Sequence, residues 1–274
     1  MSDVGTTRQL ALGTGRRHRR ILPRWVRRLA GPLLLIAVWL MLTATGLVSS
    51  RTFPTVPDVW RAGSALVSQG VFLPALGVSA RRVAIGLAIG LGSGLVIAVV
   101  AGMWGRAEDV VDSGMQVFKA IPTFALVPLL IVWLGIYESP KITLIALATA
   151  WPVYFNTFSG IRNIDRRFVE AAHTLGLGRW GIVRHVVVPG SMPGFLVGLR
   201  ISLTNAWLAL VIAEEINATN GLGMLLSDAR IAFRLDRIVF VIVVYAALGM
   251  LSYALVRLLE ESVLVWRPGF EGEQ

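Results

Sequence analysis

The sequence predicts an all-α membrane protein with about six transmembrane helices and both termini on the cytoplasmic side. Three observations lead there. Of 274 residues, 55% are hydrophobic and only 15% are charged, where a soluble domain carries roughly 25% charged residues. The mean hydropathy is +0.69. Six stretches, residues 29–49, 80–101, 120–136, 141–159, 190–213 and 237–258, are apolar. Each approaches or exceeds the ~20 residues that a helix needs to cross a bilayer.

Residues 1–28 are polar and basic, with RRHRR at 16–20 and further arginines at 24, 27 and 28. The apolar run from Leu29 to Val48 is longer than the core of ~7–15 residues in a signal peptide. It is expected to be a retained first helix behind a disordered cytoplasmic tail. Residues 50–79 form an outer segment. The second span carries Gly86, Gly90 and Gly94 at four-residue spacing, plus Gly92, a small-residue stripe that lets helices approach closely. These glycines do not spell a nucleotide-binding G-x-G-x-x-G. The third span holds Pro122 and Pro128, which should kink it. The core domain runs over 80–258, including a cytoplasmic loop at 160–189, and residues 259–274 form a cytoplasmic tail.

Orientation follows from lysine and arginine in the loops. With the N-terminus inside, the inner segments hold 17 of them and the outer segments 8. Arg81 and Arg82 fit this poorly, because they fall near the outer end of the second span.

The chain has no cysteine, which removes thiolate metal sites and cysteine nucleophiles. His18, His173 and His185 lack metal-ligand spacing. The net charge of +10 flanks apolar spans, pointing to anionic lipid headgroups and topology rather than nucleic acid. There is no Gly-Lys dipeptide and therefore no P-loop, so any ATP must be bound and hydrolysed by another chain. Intramembrane charge reduces to Arg200, whereas ion-coupled carriers keep ionisable groups in their helices. No catalytic constellation appears, and an enzyme is not expected. Glu214 and Glu215, at the outer end of the fifth span, read as solvated interfacial carboxylates. Alternatively they act near an outer gate, with Gly221 and Gly223 of the following NATNGLG forming an unusual turn.

The inner segment EAAHTLGLGRWGIVRHVVVP, Glu170–Pro189, is the most informative stretch. Phe168, Ala171, Ala172 and Leu175 recur at helical spacing, with Asp165 as N-cap and Gly176 as stop. A second stripe, Trp180, Val183 and Val187, starts after Gly178 and ends at Pro189, feeding the fifth span. The pattern is helix, glycine break, helix.

This stretch resembles the EAA signature of permease subunits of bacterial ABC importers, E-A-A-x3-G-x9-I-x-L-P. Glu170, Ala171, Ala172, Gly176 and Pro189 stand on its fixed positions, while Val186 and Val188 replace isoleucine and leucine. KAIPTFALVPLLIVWLGI (119–136), WPVYFNTFSGIRNID (151–165) and AEEINATNGLG (213–223) are similar to stretches in one subgroup. That subgroup contains permeases for nitrate, taurine and aliphatic sulfonates, with relatives for pyrimidine vitamin precursors. The resemblance implies a type I importer permease fold in the bacterial inner membrane. It implies two permease copies forming a homodimer, two ABC ATPase subunits and an extracytoplasmic binding protein. It makes Glu170, Ala171, Ala172, Leu175, Gly176 and Pro189 the coupling segment to the ATPase. Pro122, Trp151, Pro152, Asn156 and Asn205 are the candidates to line the translocation path.

Overall fold

The computed structural model describes residues 24–45, 53–103, 105–217 and 219–265. Their elements are all helical. The first, α1 (Arg24–Ala44), stands as a unit by itself. It starts five residues earlier than expected, because Arg24–Arg28 join the helix. The tail at 1–23, residues 46–49 of the first expected span and residues 266–274 of the C-terminal tail lie outside the described residues.

The second unit opens with α2 (Val56–Ser68), which carries a reciprocal capping box. Asp58 accepts from the Thr55 hydroxyl at 2.6 Å and from the Thr55 backbone N–H at 3.1 Å. These bonds hold its carboxyl below the usual range. α3 (Phe72–Met103) starts eight residues before the expected span. Its 32 residues extend about 48 Å, well beyond the ~30 Å of hydrocarbon.

Four helical segments among the described residues are long and apolar enough to cross a membrane. They are α3, α6 (Glu138–Arg162), the continuous Arg179–Ile216 segment and α11 (Leu235–Val263). The expected third span is not one helix. α4 (Gly105–Ala120) ends before Pro122, a short 3₁₀ turn follows at Thr123–Leu126, and α5 covers Val127–Leu134. The axes on either side of the break differ by 83°, and the described residues hold five spans only where this bent pair is counted as one. Pro122 causes the break, since it lacks an N–H and its ring clashes with the preceding turn. Pro128 does not kink anything, because it sits in the first turn of α5, where its missing donor is harmless.

α3 and α6 run parallel. A Cβ on Gly86 would stand 2.6 Å from Ile145, and one on Gly90 or Gly94 would stand 2.5 Å from the backbone oxygen of Ala146 or Ala150. The expected stripe is therefore a packing device, although Gly92 faces no neighbour. α9 (Val188–Asn217) runs antiparallel to α6, with Gly198 against Pro152 and Val153. α11 returns alongside α9, with Trp207 donating to Ser252 at 2.9 Å. The core between these helices is Val83, Leu144, Ile145, Ala206, Ala209 and Leu210.

Pro152 lies inside α6. Its missing N–H frees the Ala148 carbonyl, and α9 answers it. Asn205 Nδ2 donates to Ala148 O at 3.4 Å, and the neighbouring Thr149 O accepts from Ser202 Oγ at 2.6 Å. Side chains of an adjacent helix satisfy carbonyls left open by proline in a membrane bundle. Asn205→Ala should therefore cost on the order of 0.6–1.7 kcal/mol. In a Pro152→Ala background the same change should cost less, because the carbonyl regains its own donor. A double-mutant cycle on thermal unfolding in detergent reads the difference; equal costs would refute this account.

Candidate coupling and translocation sites

The coupling segment forms α7 (Arg166–Thr174) and α8 (Arg179–Ile182). Asp165 caps α7 as expected, accepting from Arg167 N–H at 2.9 Å. The far end closes with a paired turn: Leu177 N–H donates to Ala172 O at 3.1 Å and Gly176 N–H to His173 O at 3.0 Å. This Schellman arrangement needs a left-handed residue, and Gly176 has φ +77°. A side chain there would meet nothing within 4 Å, so the requirement for glycine is purely conformational.

Glu170, Ala171, Phe168 and Leu175 are exposed, the last by 81%. Ala172 departs from the expected outward face, since it is 4% exposed and lies against its own chain. Beside α7 opens a cleft of about 820 Å³, lined by Phe168, Ala171, Leu175, His185 and Pro189 among others. The second stripe leads into the next helix, which runs through Pro189 without a stop. A π turn at Val183–Val187 leads directly into α9. The wider turn, in which Val188 N–H reaches back to Val183 O, shifts the ladder and lets a proline enter without stopping the helix.

A second cavity, of about 460 Å³, is lined by Lys119, Thr123, Phe124, Trp151, Phe155, Leu208 and neighbours. Four of the five expected path residues, Trp151, Pro152, Asn156 and Asn205, line it. Pro122 is not in its wall, although Thr123 and Phe124 immediately beyond it are. Asn156 borders both this cavity and the cleft beside α7. Sequence reasoning missed Lys119; its position just before Pro122 was the available signal.

At the opposite end of α9 the structure overturns the reading of Glu214 as a solvated carboxylate. Glu214 is fully buried, as is Ser79, and Arg82 is 1% exposed. All five guanidinium donors of Arg82 are used. Nε and one Nη fork onto Glu138 at 2.7 and 2.5 Å. The other Nη donates to Glu214 Oε1 at 2.5 Å and to Asn220 O at 3.0 Å. The fifth donor meets the Asn220 side chain. Glu214 also accepts from Ser79 Oγ at 2.7 Å, Gly223 N–H at 2.8 Å and Tyr245 Oη at 3.2 Å.

Arg81 stays exposed, and Glu215 is half-buried against Arg230. Gly221, at φ +96°, and Gly223 exist for this cluster: a Cβ on Gly221 would stand 2.5 Å from Glu214 and 2.6 Å from Arg82. Lys141, 4% exposed, lies 3.9 Å from Glu138. Intramembrane charge is therefore not confined to Arg200, which pairs with Glu260 and lies 5.5 Å from the Tyr253 ring centroid.

The family model for the binding-protein-dependent transport system inner membrane component matches residues 90–265. The chain belongs to this family. It is 36% identical to the aliphatic sulfonates transport permease SsuC of Bacillus subtilis over 90% of both chains. It is 38% identical to that of Escherichia coli K12, over 90% of this chain and 95% of the relative. A solved structure of the MetNI methionine ABC transporter shares the fold, with a TM-score of 0.59 at 18% identity. It covers 68% of this chain and 92% of that one. As an ABC permease the chain is an inner-membrane transport component and not an enzyme; such permeases work with a separate ATPase and a binding protein.

Removing one partner of a buried ion pair leaves the other charge unanswered and costs ~3–5 kcal/mol. Arg82→Ala should thus lower the thermal stability of the detergent-solubilised protein sharply, whereas Arg81→Ala, at an exposed position one residue away, should shift it little. Size-exclusion recovery after heating distinguishes them.

Proposed function

We propose that two copies of this chain form the membrane path of an ATP-driven importer for a small aliphatic sulfonate, with α7 as the joint to the ATPase. The observation that carries the joint is the geometry of α7. It is a short helix, capped at both ends, with Glu170, Ala171, Phe168 and Leu175 exposed. It connects α6 to the continuous segment leading into α9. An element fixed in angle but presenting an open face suits docking into a partner's groove.

In this reading α7 is cytoplasmic, as the excess of inner arginines supports, and the Arg82–Glu214 cluster lies near the outer gate with Gly221 and Gly223. ATP binding draws the two ATPases together and with them both α7 helices. The permease pair rocks to an outward-facing state and accepts substrate from the binding protein; hydrolysis restores the inward state. This is alternating access, driven by ATP binding one state better than the other. Trp151, Pro152, Asn156 and Asn205 line the path, and Asn156 links its cavity to the cleft beside α7. The sulfonate assignment is supported by the two relatives named for aliphatic sulfonates, aligned over nine-tenths of this chain.

The left-handed backbone at Gly176 provides the test. A non-glycine residue in this conformation costs roughly 1–2 kcal/mol, most for β-branched residues and least for asparagine. Gly176→Val should lower ATP-driven uptake by the assembled importer at least about tenfold and weaken co-purification of the ATPase. Gly176→Asn should keep most of both. Normal transport by the valine variant would remove α7 from the coupling role.

A further inference from the structure

Among the described residues, Lys119 is the one cation in the wall of the cavity beside Trp151, and the sulfonate reading leaves it unassigned. Lys119 is in the last turn of α4, and its ammonium lies 4.8 Å from the centroid of the Phe155 ring. Two primary amides share the cavity. Asn156 Nδ2 gives one hydrogen to Pro152 O at 2.8 Å, and Asn205 Nδ2 gives one to Ala148 O. An amide nitrogen carries two hydrogens, so each keeps a second donor. Apart from Thr123, the remaining wall is apolar, with Phe124, Trp151, Ile201 and Leu208. Phe118 stacks on Trp151 at 5.8 Å, which fixes the indole.

We propose that Lys119 is the specificity-determining residue that takes the anionic head of the substrate in this cavity, with the Asn156 and Asn205 amides donating beside it. The inference rests on the sulfonate reading above and assigns that substrate's charge to one side chain. A sulfonate is a permanent anion with three acceptor oxygens and no proton to give. It calls for donors and a positive charge, which Lys119 and the two amides supply. Its alkyl chain calls for an apolar wall, which the aromatic and aliphatic side chains supply. The volume of about 460 Å³ is in the ~300–1,000 Å³ range of small-molecule sites.

The charge is also mounted where it can act on a moving solute. Lys119 stands on one side of the 83° break at Pro122, while Thr123 and Phe124 on the other side line the same cavity. A single ammonium over an aromatic face attracts an anion without burying it in a closed cage. A path that must release its solute needs such moderate affinity.

The test uses the complete importer in proteoliposomes, with its ATPase and binding protein, and follows uptake of labelled ethanesulfonate. A charge-assisted hydrogen bond is worth ~1.5–3 kcal/mol, or roughly ten- to a hundredfold in rate at limiting substrate. Lys119→Gln should lose uptake by that factor, and Lys119→Arg should retain it within about threefold. Co-purification of the ATPase confirms that each variant assembles. If the glutamine variant transports like wild type, Lys119 does not read the anion. If arginine fails as badly as glutamine in an assembled complex, the side chain acts through its fit over Phe155 and not its charge, which also overturns the proposal. If the wild-type importer moves no ethanesulfonate, the substrate reading itself falls.

Discussion

The membrane bundle depends most on the burial of Arg82 with Glu214. Taking an ion out of water costs several kcal/mol even in a relaxed protein, and only complete pairing offsets it. Complete pairing is what the chain provides: five donors of Arg82 meet Glu138, Glu214 and Asn220. Glu214 in turn takes hydrogen bonds from α3, α11 and α10 (Leu222–Ile231). Helices α3, α6, α9, α10 and α11 therefore meet at one polar point. The glycines at 221 and 223 follow from it, because no side chain fits between their backbone and the ion pair.

The second constraint is the proline inside α6. Pro152 opens the Ala148 acceptor in the middle of the bundle, and Asn205 of α9 closes on it, beside the Ser202 bond to Thr149 O. Asn205 consequently has two tasks: it holds α6 against α9 with one hydrogen and faces the cavity with the other. Packing and lining cannot be separated at this residue.

These two centres differ in how far the sequence reveals them. Local signals read well. The Gly86–Gly90–Gly94 stripe, the Asp165 cap and the Gly176 stop each depend on residues within one or two turns, and the structure has all three in place. At Pro189 the apolar stripe ends while the helix runs on, because a π turn at Val183–Val187 leads into it. Glu214, by contrast, was illegible. Its partner Arg82 is 132 residues away in sequence, and each residue alone looks like an ordinary charge near the end of an apolar run. The misfit of Arg82 with the positive-inside count was the trace of that pairing. Lys119 was hidden similarly, because only the break at Pro122 brings Thr123 and Phe124 to the same cavity as a lysine from the preceding helix.

The same helices also connect the proposed coupling segment with the cavity. The Arg179–Ile216 segment is continuous from the joint to the ion pair, about 57 Å of helix at 1.5 Å per residue. Along it, Ser202 and Asn205 bind α6, while Arg200, Trp207 and Glu214 bind α11 through Glu260, Ser252 and Tyr245. These hydrogen bonds tie α6, α9 and α11 to one another between Arg200 and Glu214. The wall that carries Lys119 is tied to α6 as well, by the Phe118–Trp151 stack and by Tyr154 Oη donating to Asp112 at 3.2 Å. It is interrupted at Pro122, where an 83° bend replaces the hydrogen-bond ladder of a straight helix. The break falls between Lys119 and the pair Thr123 and Phe124, all of which line the cavity. The cation therefore stands at the end of one helix, where the backbone turns away before the chain re-enters the same wall.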